Sequence, residues 1–160
     1  MSTFDNLQSF ESLDGDPIGE ALLDITGTVI LTLNRPALLL AQGVGVVFCD
    51  LPEDTYEFKR AHIGARLLSQ AALKEDIDLW YDQEYLYSGN PVNPAAVILT
   101  RDLNFEDGTV NIQGSAVATG TDKEGETVPL NPGQVRRLTH WFLNRVGSPG
   151  DLHIARTAPS

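Results

Sequence analysis

The stretch LDITGTVILTLNRP (residues 23–36) decides how the rest of the chain is read. Leu23, Ile25, Gly27, Val29, Leu31 and Leu33 alternate with Asp24, Thr26, Thr28, Ile30, Thr32 and Asn34. Period two with threonines on the second face is the pattern of a half-buried strand, because successive side chains point to opposite sides of a sheet. Asn34 to Ala37 then supplies a turn, with Pro36 fixing φ.

Downstream, Leu38 to Leu51 is apolar on both faces and predicts a second strand, bent at Gly43 and Gly45. A short helix over 37–42 is the other reading of its start. Glu53 to Arg60 is expected as a third strand. Ile63, Leu67, Leu68, Ala71 and Ala72 fall at helical spacing, which predicts a helix over about 61–74. Ile77, Leu79 and Tyr81 alternate with acids and Trp80, a further strand. After the Gly-Asn-Pro-Val-Asn-Pro loop at 89–94, strands are expected at 96–105 and 109–119, flanking a turn at Glu106-Asp107-Gly108. Thr121 to Glu126 reads as another turn.

The segment after it carries its own punctuation. Asn131 is placed to cap a helix, Pro132 suits the first position, and Gln134 can complete a capping box. Val135, Leu138, Phe142 and Val146 then make an apolar stripe, which predicts a helix over about 132–146. Gly147 and Pro149 end it, and residues 151–157 return as a short strand. The expected fold is α+β and strand-dominated, an antiparallel β-sandwich or barrel with two helices (about 61–74 and 132–146).

Upstream of residue 20 the chain is polar and acidic, so residues 1–19 are expected as an N-terminal arm and 20–160 as a single β-rich globular domain. A chain of 160 residues can bury enough surface to fold without a disulfide or a metal. Cys49 is the single cysteine and sits beside the apolar run Val44–Phe48, where it packs as a small hydrophobe. Its acidic neighbours Asp50, Glu53 and Asp54 argue against a reactive thiolate paired with His62 or His140. No basic, then apolar, leader is visible, and the run from Pro36 to Cys49 is too short to span a bilayer. The cytoplasm, or a larger particle assembled there, is the expected location.

Charge is sorted along the chain. Residues 1–57 carry ten acids against Arg35 alone, whereas residues 131–160 carry Asp151 against Arg136, Arg137, Arg145 and Arg156. The formal net charge of −11 argues against nucleic acid and against an anionic membrane surface as partners. An acidic front and a basic rear can neutralise each other within one molecule or between copies.

Two constellations carry the candidate interaction surface. If residues 76–84 are extended, Asp76, Asp78, Trp80, Asp82 and Glu84 share one face. That face could meet cationic groups of a partner around an aromatic anchor, although a solvated acidic face is the plainer reading. It lacks the spacing of a calcium loop. On the last helix, Arg136, Arg137, His140 and Trp141 could form an anion patch or a cation–π contact, a solvated face, or a surface that pairs with acids of residues 5–24. His62, His140 and His153 are scattered, so no metal site, cofactor or catalytic set is expected. The expected function is a non-enzymatic structural or interaction module that self-assembles, for example a subunit of a virus particle, ring or tube. Its partners would be copies of itself or other protein subunits. The alternatives are an acidic inhibitor or immunity-type protein that masks a basic partner, and a small-ligand-binding β-barrel.

Overall fold

The computed structural model describes residues 17–104 and 111–158. Most of the expected acidic arm and the expected turn at 106–108 lie outside the described residues.

Residues 23–33 are not a strand. They belong to helix α1 (Pro17–Thr32). Leu22, Thr26, Val29 and Leu33, at i, i+4, i+7 and i+11, are buried, so the segment packs one helical stripe inward. A second apolar stripe on the same helix made the sequence alternate. The threonines fit because the Thr28 hydroxyl donates to the Asp24 carbonyl at 2.8 Å, one turn back.

The expected bent strand at 38–51 is a hairpin of β1 (Pro36–Ala41) and β2 (Gly45–Asp50), paired from Pro36 with Asp50 to Ala41 with Gly45. Gly43 and Gly45 adopt φ of +78° and +123°, so they reverse the chain completely. The third expected strand is helix α2 (Thr55–Ile63), capped by the Asp54 side chain on the Glu57 N–H and closed by Gly64 in the left-handed region. The helix expected over 61–74 is corrected in turn. Gly64 stops α2, and Leu68–Leu73 is strand β3, paired antiparallel with β4 (Ile77–Asp82).

Residues 96–105, expected as a strand, lie mostly in helix α3 (Pro94–Leu103), capped by Asn93. Strand β5 (Ala116–Thr121), the short β6 (Thr127–Val128), helix α4 (Pro132–Arg145) and β7 (Leu152–Ile154) complete the chain. Helix α4 carries the full Asn131–Gln134 capping box expected of it.

The fold class is α+β. The seven strands form one sheet in the order β3-β4-β5-β1-β2-β7, with β6 paired to β5. All pairings are antiparallel except β2 with β7. The sheet does not close on itself, so the barrel version of the expectation is withdrawn, and so is the barrel interior that a ligand would have filled. Both faces are covered instead. Leu38 and Leu40 of β1 join Phe48, Leu79 and Ala118 beneath α1, α3 and α4. Ala37 and Leu39 point the other way and join Cys49, Val117, Phe58 and Ile63 beneath α2. The two-sided apolar run of β1 follows from its central place between β5 and β2.

Candidate interaction surface

The acidic–aromatic tract does not form one open face. Asp76 is exposed in the β3–β4 turn with φ of +60°. Asp78 is 3% exposed, on the face that α2 covers. Trp80, on the same face, is half-buried against the α2-side core. Its indole N–H donates to the Thr119 hydroxyl at 3.0 Å. Asp82 accepts from the Glu84 backbone N–H at 2.8 Å, and Glu84 pairs with Arg66 at 2.9 Å. Alternation along β4 was read correctly, but its centre serves the core and its ends serve turns.

Beneath α2 the sequence reading missed Lys59, which is 5% exposed. Its ammonium donates to the Thr127 hydroxyl at 3.0 Å and lies over the Trp80 ring. Burial pushes Lys59 below its ordinary value, against the fields of Asp78 and Glu126. Burial likewise raises Asp78, opposed by a hydrogen bond with Thr121 and by the charge of Lys59. Both are held at a cost in their charged forms, and the aromatic face of Trp80 offsets part of it for the ammonium.

The rear cluster is also divided. Trp141 is buried, and its indole N–H donates to Asp102 at 3.1 Å. Arg145 pairs with the same carboxylate at 2.9 Å. Arg137 pairs with Glu75 at 2.7 Å, Arg136 is exposed and His140 is half-buried. Arg137 and Arg145 thus engage acids from the middle of the chain. Cys49 packs in the core, and burial, with Asp50 beside it, pushes its thiol up to about 12. Among the described residues no group of three or more His, Cys, Asp or Glu side chains is placed to hold a metal ion. No helix among them is long and apolar enough to cross a membrane.

The outer face of α1 stands apart from these satisfied clusters. Leu23, Ile30 and Leu31 are 47%, 42% and 88% exposed. With Gly27 they occupy i, i+4, i+7 and i+8, one stripe beside the buried one. A Cβ built on Gly27 meets nothing within 4 Å. Glu20 and Asp24 are the charged residues of the helix, both in its first half. The stripe was legible only as the odd face of a strand, because its residues satisfy both periods.

Residues 44–143, more than half of the chain, match the family described as "Domain of unknown function (DUF3846)", and the chain belongs to that family. No curated protein and no solved structure matches it. The matched residues run from the β1–β2 turn to the last turn of α4, so α1, β1 and β7 lie outside them.

Proposed function

We propose that this DUF3846 chain is a non-enzymatic interaction module that associates with copies of itself through the outer face of α1, as a subunit of an assembly formed in the cytoplasm. The observation that carries this reading is the outward stripe of Leu23, Ile30 and Leu31 around Gly27. An exposed leucine alone needs no explanation, but a helix that buries one apolar stripe and leaves a second open has an uncovered hydrophobic face.

A second copy fits that face. When two α1 helices cross antiparallel, Leu23 of one meets Ile30 and Leu31 of the other, and Gly27 lies at the crossing, where the absence of a side chain allows close approach. The acids favour the same orientation, because Glu20 and Asp24 of each copy then sit at opposite ends of the contact. Such a contact is isologous and closes as a dimer.

The native mass of the full chain tests this reading, by light scattering over a dilution series at low and high salt. An apolar contact is expected to persist at high salt, whereas contacts between exposed charges are screened. A dimer or larger species at both salt concentrations is the expected result, and a monomer at every concentration contradicts it.

A further inference from the structure

A cleft of about 470 Å³ opens between the β1–β2 turn, the start of α3 and the end of α4. Its volume is within the range of small-molecule sites. Val44, Val46, Val92, Phe142 and Val146 supply apolar walls, and Asp151 stands among them as a carboxylate.

The backbone makes this space. Gly43 and Gly45 turn the hairpin through positive φ. Past α4, Gly147 lies so close to Asp151 that a Cβ there would come within 2.9 Å of the carboxylate. Asp151 is fixed rather than free. Its Oδ2 accepts from both the backbone N–H and the hydroxyl of Ser148 at 2.9 Å, which fixes the carboxylate at the cleft. Those bonds, and the charge of His153, hold the carboxyl below the usual carboxylate range.

Asp151 is the one formally charged residue that lines the cleft. The C-terminal end of α4 contributes the partial negative charge of its carbonyls. The lining includes no Lys or Arg. The opposing N-terminus of α3 is poorly equipped for an anion, because Pro94 has no N–H and the Asn93 side chain already takes that of Ala96 at 3.2 Å. We propose that the cleft binds a small organic cation, an ammonium or guanidinium on a hydrocarbon body, with its head on Asp151 and its body on Val46, Val92 and Phe142.

Three probes that share a phenethyl body test the proposal on the isotopically labelled full chain: phenethylamine, phenethyl alcohol and 3-phenylpropionate. Amide shifts of residues 43–46, Ala95 and Gly147 are followed to saturation. Because Asp151 is exposed, the amine is expected to bind about threefold more tightly than the alcohol, the scale of a contact to a solvated carboxylate, and the carboxylate to bind least. Asp151→Asn is expected to abolish the preference of amine over alcohol. Because that change also removes charge from the Ser148 turn, Val146→Trp at the exposed rim serves as a second variant. It is expected to block amine and alcohol alike while the remaining amide spectrum is kept. No saturable shift with the amine, equal binding of the carboxylate, or an undiminished preference in Asp151→Asn overturns the proposal.

Discussion

The ammonium of Lys59 lies 3.4 Å from the centroid of the Trp80 ring. Helix α2 thereby reaches across the sheet face and seals Asp78 beneath it. Removing one member of a buried charge couple leaves the other uncompensated, whereas removing both removes the problem. Lys59→Met is therefore expected to cost about 1–2 kcal/mol, and Lys59→Met with Asp78→Asn to cost less than the first change alone. Urea unfolding of the two single variants and the double variant checks this. Additive losses would mean that the two groups do not feel each other.

Gln134 ties helix α4 to the β3–β4 turn. Its amide N–H groups donate to the carbonyls of Glu75 and Asp76 at 2.8 and 3.0 Å, and its Oε1 accepts from the Asn131 N–H at 2.9 Å. Glu75 and Asp76 both lie in the left-handed region, with φ of 63° and 60°, so this turn needs the clamp. Gln134→Ala is expected to cost about 2 kcal/mol, from the lost cap and the unpaired carbonyls. Hydrogen exchange should show faster opening of the β3–β4 pairing than of the β1–β2 pairing. Uniform loss of protection would refute the local assignment.

Two histidines set an acid limb. Burial lowers His62, and burial together with the charges of Arg137 and Arg136 lowers His140. A folded-state value below the unfolded one contributes stability that is present above the unfolded value and is lost as pH falls through the folded one. Stability is thus expected to fall as pH drops below the ordinary histidine value of 6.5, to be lower at about pH 5.5 than at about pH 7.5, and His140→Gln to narrow that decline. Denaturant midpoints at the two pH values measure it, and an unchanged decline in the variant would contradict the assignment.

What could be read in advance depended on whether a segment carries its own punctuation. Helix α4 did, through Asn131, Pro132 and Gln134. Helix α3 repeats the same start, Asn93 then Pro94, but the turn signal Glu106-Asp107-Gly108 made residues 96–105 read as one strand of a hairpin, and burial of Ala96, Leu99 and Leu103 against the sheet prevailed. Helix α1 was illegible for a different reason. A helix with two apolar stripes alternates almost as a strand does, and the stripe that α4 covers is set by residues more than a hundred positions away. The alternation of Asp78 and Trp80 was visible, yet which face of β4 is sealed depends on Lys59, on an element whose helical character was itself misread.

Self-association through the outer stripe of α1 is probed by a paired variant. Leu23→Asp with Leu31→Asp places charge on the exposed stripe and leaves Leu22, Val29 and Leu33 untouched in the core. Native mass by light scattering is measured for wild type and variant at matched concentrations, with circular dichroism confirming that both are folded. A wild-type dimer or larger species and a folded, monomeric variant are expected. A wild-type monomer, or a variant that keeps the wild-type mass, would contradict it.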